Sequence, residues 1–246
     1  MSHIHINFEH VNYSYEKTVP ILQDITFTAH ENDSIGLIGA NGVGKSTLLK
    51  LLVGLNPDYE GSIRVEEMPV VKEMLPKVRE KIGYVFQDSD SQLFMSTVFE
   101  DVAFAPRNYG LLETEVEQRV SHALEQIHIG HLRDKQIYKL SGGEKKMASI
   151  ATILAMTPDI ILMDEPLIAL DPKNRRTLIH ILNDFEHLKI IASHDLDMIL
   201  ETCNRVILMA GGRIVCDGDT KEILTNKELL EANGLELPFC LQKPVW

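Results

Sequence analysis

The stretch Gly39-Ala40-Asn41-Gly42-Val43-Gly44-Lys45-Ser46-Thr47 decides the fold of this chain, because it fits the phosphate-loop pattern G-x-x-x-x-G-K-[ST]. Glycines lack a Cβ and so let backbone N–H groups approach phosphate oxygens. In this pattern Lys45 reaches the β- and γ-phosphates of a nucleotide, and the Ser46 hydroxyl binds Mg²⁺. The alternative is a glycine-rich turn without a ligand, which the combined loop, lysine and hydroxyl disfavour.

The segments on either side of this loop have the character that a phosphate loop requires. Residues 35–38 predict a short buried strand, and residues 47–52 predict a helix whose N-terminus attracts anions. Residues 4–30 predict two or three strands, and residues near 89–156 are mainly helical, with one helix over 113–128. Dense apolar runs, typical of strands covered on both faces, follow at 159–163, 189–193 and 205–209.

The composition excludes several classes of protein. A chain of 246 residues with 44% apolar residues can form one large core. The net charge of −12 argues against nucleic acid as the main partner. No run approaches the roughly 18 apolar residues of a membrane span. The widely spaced Cys203, Cys216 and Cys240 predict free thiols in a reducing cytoplasm.

Polar residues follow two of the predicted core strands. Asp164 and Glu165 end the run 160–163, at the edge where α/β sheets place ligands. An aspartate there can hold Mg²⁺, and the neighbouring glutamate can polarise an attacking water. His194 follows another strand and could contact a γ-phosphate. The alternative for all three is that they merely begin loops.

The segment Leu140-Ser141-Gly142-Gly143-Glu144 has two compatible interpretations. Ser141 and Glu144 fit a capping box that satisfies the first N–H groups of a helix. The serine and two glycines at a helix N-terminus also form a second phosphate-binding site. Because one phosphate does not fit both sites of one chain, two chains facing head to tail could each lend this segment to the other's nucleotide.

Taken together, these motifs resemble those of the ATP-binding cassette (ABC) ATPases over nearly the whole chain. Residues 39–47 resemble the Walker A motif, 160–165 Walker B and 140–144 the signature, with Glu144 replacing its usual glutamine. The resemblance identifies Gln87 as the glutamine that senses Mg²⁺ and the γ-phosphate, Asp171 as the D-loop aspartate, His194 as the switch histidine and Tyr15 as the aromatic residue that stacks on adenine. Ile168 departs from the family, which usually has a small or polar residue there.

The resemblance implies an α/β fold: a P-loop NTPase core of the ABC ATPase type with an N-terminal antiparallel β subdomain and an inserted helical subdomain. The whole chain, 1–246, would be one ABC ATPase domain, with the helical signature subdomain at about 89–156 and a short C-terminal extension at about 220–246. The implied ligands are ATP and Mg²⁺, the ion being held by Ser46, Gln87 and Asp164.

A narrower resemblance points to the ATPases of energy-coupling factor importers, closest to their cobalt and nickel branch. It rests on residues 87–94 and 97–106, on the signature with Lys145 and Lys146, and on residues 228–235. It implies a homodimer, or a heterodimer with a paralogue, at the cytoplasmic face of the membrane. A transmembrane coupling subunit would meet Asp88 or Asp90 with basic residues, and a membrane substrate-capturing subunit would choose the cargo.

Two other functions remain open from the sequence alone. One is the ATPase of another ABC importer, with a vitamin or other small solute as cargo. The other is a soluble ABC ATPase that acts on nucleic acid, against which the acidic composition and the single cassette argue. The sequence does not identify the cargo, because the ATPase itself does not contact it.

Overall fold

The structure, a computed structural model, describes residues 4–16 and 19–242. They form two compact units, one made of the described residues of 1–82 and 186–246, the other of Gly83–Phe185. The strands are β1 Ile4–Tyr13, β2 Leu22–His30, β3 Ser34–Ile38, β4 Glu60–Val65, β5 Met68–Pro69, β6 Ile82–Val85, β7 Ile160–Asp164, β8 Leu188–Ala192, β9 Arg205–Ala210 and β10 Arg213–Asp219. The α-helices are α1 Lys45–Leu52, α2 Leu75–Lys81, α3 Val98–Asn108, α4 Glu113–Gln126, α5 Gly142–Leu154, α6 Pro172–Asp184, α7 Leu196–Thr202, α8 Thr220–Leu224 and α9 Lys227–Ala232.

The N-terminal part of the first unit is an antiparallel sheet with the strand order β2-β1-β4-β5. Phe8 on β1 lies opposite Phe27 on β2 and Ile63 on β4, and all three side chains are buried. The rings of Phe8 and Phe27 stack with their centroids 4.8 Å apart. This apolar centre alternates along β1 with polar positions, as expected for a sheet with one buried face.

The same unit contains a second group of strands in the order β10-β9-β3-β8. Strand β3 is parallel to both β8 and β9, and Ile35, Leu37 and Ile38 are buried. Such continuous burial is typical of a central parallel strand. The hairpin from β9 to β10 turns at Gly211 and Gly212, whose φ angles of 53° and 76° are the left-handed values that a tight hairpin turn requires.

The second unit holds strand β6 from Gly83 on, strand β7 and helices α3 to α6. Helix α4 buries Val116, Val120 and Leu124, which recur every fourth residue on one face. The predicted helix 113–128 ends earlier, at Gln126, because His128 adopts a left-handed φ of 60° that an α-helix cannot continue.

These elements confirm the prediction of an α/β fold with an N-terminal antiparallel sheet. The predicted strand before the phosphate loop and the helix after it are present as β3 and α1. The division into one ABC ATPase domain with a helical subdomain at 89–156 and a C-terminal extension at 220–246 stays a prediction. Among residues 4–16 and 19–242, no helix is both long and apolar enough to cross a membrane.

Arg205 on β9 joins the two sheets of the first unit. Its guanidinium donates to both carboxylate oxygens of Asp217 at 2.7 Å, and to Asp33 Oδ2 and the Thr28 carbonyl at 2.9 Å. Because Arg205→Met would leave two partly buried carboxylates without this cation, we expect the free energy of unfolding to fall by about 2–4 kcal/mol. Urea denaturation followed by circular dichroism measures the change.

Arg213→Met is the matched control, since this exposed arginine donates to the Gln23 side chain at 3.1 Å. We expect a change within about 0.5 kcal/mol, as for most surface substitutions. Equal losses in the two variants would show that the Arg205 network does not hold the sheets together.

Candidate functional site

The phosphate loop connects the end of β3 to the start of α1 through a backbone that has no room for a side chain at two of its glycines. Gly39, Gly42 and Gly44 have φ angles of 146°, 80° and 106°. A Cβ at Gly39 would lie 2.3 Å from the Met209 carbonyl oxygen, and one at Gly44 would lie 2.6 Å from Leu22 Cδ2. Gly39 and Gly44 are therefore required by both conformation and space, and Gly42 by conformation alone.

Lys45 is the first residue of α1 and is 7% exposed. Its Nζ donates to the carbonyl oxygens of Gly39 and Ala40 at 2.6 and 3.2 Å, so the ammonium lies across the loop. Gly44, the N-cap, has no side chain with which to cap the helix. A buried ammonium beside a helix N-terminus without a side-chain cap fits a phosphate group.

The structure brings Tyr15 to the same loop. Its hydroxyl lies 3.2 Å from the Oγ1 of Thr47, which is buried in the first turn of α1. The Tyr15 ring is 58% exposed and meets Tyr13 edge to face at a centroid distance of 5.0 Å. An anchored hydroxyl and an exposed ring face suit the predicted stacking on an adenine base.

His194 lies at the same edge of the parallel strands as the phosphate loop. It follows β8, whose Ala192 pairs with Leu37 near the end of β3. The histidine is exposed and lines a cavity of about 230 Å³ whose other wall includes residues 235–239. Asp197 fixes that wall by accepting hydrogen bonds from the N–H groups of Phe239 and Cys240 at 3.0 and 2.9 Å. The sequence reasoning missed this contact.

The predicted carboxylates lie at the end of β7 in the second unit. Asp164 is the last residue of the strand, is 2% exposed and accepts a hydrogen bond of 3.5 Å from the Tyr84 hydroxyl. Glu165 is 8% exposed and has a φ of 47°. A left-handed conformation is strained for a glutamate, and such strain is found preferentially where function requires it.

Ser141 and Glu144 form the predicted capping box at the start of α5. The Glu144 N–H donates to Ser141 Oγ at 3.3 Å, and the Ser141 N–H donates to Glu144 Oε2 at 2.7 Å. Lys135 Nζ donates to Glu144 Oε1 at 2.8 Å. The hydrogen bond from Lys135, followed in size of effect by that from the Ser141 N–H, lowers the pKa of Glu144 to about 2. Both Glu144 oxygens are thus occupied by hydrogen bonds at the start of α5. Gly142 and Gly143 remain as the residues of this segment that could meet a phosphate group.

The segment after β7 lies against this helix end. A Cβ on Gly143 would approach the Ala169 carbonyl oxygen to 2.9 Å, so these two backbones are in close contact. Asp171 caps α6 by accepting hydrogen bonds from the N–H groups of Lys173 and Asn174 at 2.9 Å. Ile168, which departs from the family pattern, is 40% exposed.

Gln87 follows β6, and its backbone contacts a residue that the sequence reasoning did not single out. Lys146 on α5 is 2% exposed, and its Nζ donates to the carbonyl oxygens of Phe86 and Gln87 at 2.9 and 2.7 Å. Helical spacing was a usable signal, because Lys146 shares its face with the buried Ile150 and Ile153.

The predicted site residues thus divide between the units. The first unit holds Tyr15, the loop 39–47 and His194; the second holds Gln87, the segment 141–144, Asp164, Glu165 and Asp171. Within the part of the chain that the structure describes, no group of three or more His, Cys, Asp or Glu side chains is arranged to hold a metal ion.

Comparison with known proteins places these motifs in a family. Residues 22–168 match the family model described as ABC transporter. A putative ABC transporter ATP-binding protein of Geobacter sulfurreducens is 49% identical over 242 residues, covering 98% of this chain and 97% of the relative. The energy-coupling factor transporter ATP-binding protein EcfA of Carboxydothermus hydrogenoformans is 40% identical, covering 96% and 88%.

A solved structure agrees with these relatives. The structure of cbiO1 from Clostridium perfringens, described as part of the ABC transporter complex cbiONQ, has a TM-score of 0.80 and is 35% identical. The match covers 94% of each chain. The similarity therefore extends over nearly the whole fold and is not limited to the phosphate loop.

The capping box gives a pH-dependent prediction. Glu144→Gln can still cap α5 but loses the ion pair with Lys135, so we expect it to lower the free energy of unfolding at pH 7 by about 1 kcal/mol, since the pair is partly exposed. The pKa of Glu144 is lowered from 4.5 to about 2 on folding. Its stabilisation is therefore complete above pH 4.5 and is lost as the pH falls toward 2.

The difference between the two proteins should accordingly shrink on acidification, as measured by urea denaturation at pH 7, 5 and 3.5. A difference that stays constant or grows over this range would show that Glu144 does not act through its charge.

Proposed function

Because the chain belongs to the ABC transporter family of ATP-binding proteins, we propose that it is the ATP-hydrolysing subunit of an energy-coupling factor importer. ATP binding and hydrolysis are the activity of the family. The assignment to this type of importer rests on the similarity, over nearly the whole chain, to a protein named EcfA and to cbiO1 of a transporter complex. In this proposal the subunit works at the cytoplasmic face of a membrane, against transmembrane partners.

We assign the phosphate groups of ATP to the loop 39–47. The N–H groups at the start of α1 and the Lys45 ammonium supply positive charge to the phosphate oxygens, and the lack of a Cβ at Gly39, Gly42 and Gly44 lets these oxygens approach. Lys45 must exchange its contacts with Gly39 and Ala40 for phosphate oxygens as the nucleotide binds. The exposed ring of Tyr15 stacks on the adenine base.

We assign Mg²⁺ to Ser46, Gln87 and Asp164. One hydroxyl, one amide oxygen and one carboxylate suit an ion that keeps several waters and takes its other ligands from substrate phosphates. When bound, the ion neutralises charge that develops on the transferred phosphoryl group. Glu165 accepts a proton from the attacking water, and His194 donates a hydrogen bond to the γ-phosphate.

In the proposed assembly, two cassettes close head to tail on two ATP molecules. The Ser141 hydroxyl, Gly142 and Gly143 at the start of α5 then face the γ-phosphate bound by the partner subunit. Asp171 lies at the seam, the contact surface between the two subunits. The partner is a second copy of this chain or a paralogue.

The segment from Asp88 to Pro106 is the proposed contact with the transmembrane subunit. Phe94 is 64% exposed and meets Phe104 edge to face with centroids 4.8 Å apart. Asp101, which is 4% exposed, accepts hydrogen bonds from the N–H groups of Phe94 and Met95 at 3.1 and 3.2 Å. These bonds hold the loop before α3 in place. An apolar ring on a fixed loop suits docking of a helix.

The structure separates the roles of the two acids in this segment. Asp88 accepts hydrogen bonds from the Asp90 N–H at 3.1 Å and the Ser91 hydroxyl at 2.9 Å, and so shapes the turn. The Asp90 side chain is 67% exposed and receives one bond, from Lys145 Nζ at 2.5 Å. Asp90 is therefore the better candidate for meeting a basic residue of the membrane partner.

Glu165→Gln should retain ATP binding but lower kcat by about 10²–10⁴-fold, the usual contribution of a positioned general base. Because hydrolysis would reopen the seam, this variant should also accumulate as a dimer with MgATP, measured by size exclusion. Lys45→Ala is the control that loses ATP binding in calorimetry and stays monomeric. A folded Glu165→Gln that turns over ATP at the wild-type rate would remove Glu165 from the mechanism.

Asp90→Lys should leave the basal ATPase activity nearly unchanged but abolish cobalt or nickel uptake by the whole transporter, because a lysine repels the partner's basic residue. Uptake of radiolabelled metal in cells measures this effect. Glu31→Lys is the control, an exposed acid in the turn between β2 and β3 that should not alter uptake.

Normal uptake by Asp90→Lys would place the coupling contact elsewhere. If the wild-type assembly carries neither metal, the cargo is another small solute and the ATPase assignment stands.

A further inference from the structure

Lys146 is a cation in a place where apolar residues are the rule. It lies in the second turn of α5 and is 2% exposed, next to the fully buried Met147. Taking an ammonium out of water costs several kcal/mol unless its hydrogen bonds and charge are compensated. A leucine or methionine would fill the same space without this cost, so the charge itself calls for an explanation.

The ammonium holds the backbone at Gln87 to α5. Its bonds of 2.9 and 2.7 Å to the carbonyl oxygens of Phe86 and Gln87 come where β6 has ended. A second side chain, Gln92, accepts the Phe86 N–H at 3.1 Å and donates to the Ser149 carbonyl of α5 at 2.7 Å. Two polar side chains thus tie the segment 86–92 to the helix that begins with the signature residues.

Carboxylates of the second unit also act on the charge of this ammonium. Burial lowers the pKa of Lys146, while the negative charges of Asp164, Asp88 and Glu165 act in the opposite direction. These negative charges favour the charged form of Lys146, whose hydrogen bonds go to the Phe86 and Gln87 carbonyls.

We propose that Lys146 is a positioning residue for ATP hydrolysis, which fixes the Gln87 backbone to the signature helix α5. Lys146 does not touch the nucleotide in this account; it acts through Gln87. The inference rests on the proposed ATPase function. It also implies that any movement of the signature segment carries Gln87 with it, because both belong to one hydrogen-bonded body.

Lys146→Met tests this inference because it keeps the volume but removes the charge and both hydrogen bonds. We expect the KM for ATP and the calorimetric Kd to be unchanged, since the phosphate loop supplies binding, while kcat falls by about 10–100-fold, as for other groups that orient the ligands of a site. Lys146→Arg, which keeps the charge and the donors, should recover most of the rate. Lys145→Met is the control. It removes a lysine from the same helix, but one that pairs with the exposed Asp90, so kcat should stay near the wild-type value.

Each outcome bears on one of the two proposals. A wild-type protein without ATPase activity defeats the proposed function itself. An active wild type and a Lys146→Met variant with the same kcat overturn the positioning role. A parallel loss of ATP affinity and kcat in both Lys146 variants also overturns it, since a general loss of structure then suffices. If Lys146→Met does not fold, Lys146→Gln shortens the side chain and removes its charge, and a normal kcat in that variant overturns the inference.

Discussion

The backbone between β3 and α1 has no space for a side chain at Gly39 or Gly44, and the phosphate loop depends on this constraint. One glycine lies against the Met209 carbonyl of β9 and the other against Leu22 of β2. The loop is therefore fixed by strands on two sides before any ligand binds. A rigid loop keeps its N–H groups aimed at one point, so less reorganisation is needed when charge develops on a bound phosphate. Lys45 can be buried because the same rigidity offers it two carbonyl oxygens.

Residues of the second unit combine a structural and a proposed functional role. Ser141 caps α5 and Asp171 caps α6, and each cap satisfies backbone N–H groups that would otherwise lack a partner within the helix. Loss of such a cap costs about 1 kcal/mol. Effects of substitution at either residue therefore mix stability with any effect on the seam between subunits. Gly142 carries no such cap, and a Cβ there would lie in ordinary contact, 3.6 Å from the Ala169 Cβ, which makes it the cleaner probe of the contact between subunits.

The features that the sequence predicts well are those whose partners lie within a few residues. The strand and helix around the loop, the capping box of Ser141 and Glu144, and the position of Asp164 at a strand end all depend on local spacing. The contacts that it did not predict join distant segments. Lys146 lies about sixty residues from Gln87 in the chain, and Asp197 about forty from Phe239. Periodicity places such side chains on a buried face but does not identify their partners.

Strain in the segment after β7 bears on how the site can be altered. Glu165 and Ala169 have φ angles of 47° and 68°, in a region that costs a residue with a Cβ about 1–3 kcal/mol. Such a conformation persists only where surrounding contacts determine it, and here the Ala169 carbonyl packs against the first turn of α5. A glycine at position 165 would relieve the strain as well as remove the carboxylate, and would also widen the backbone freedom of the unfolded chain. Glutamine keeps the Cβ and the shape, so the charge of Glu165 can be removed without releasing the bend that positions it.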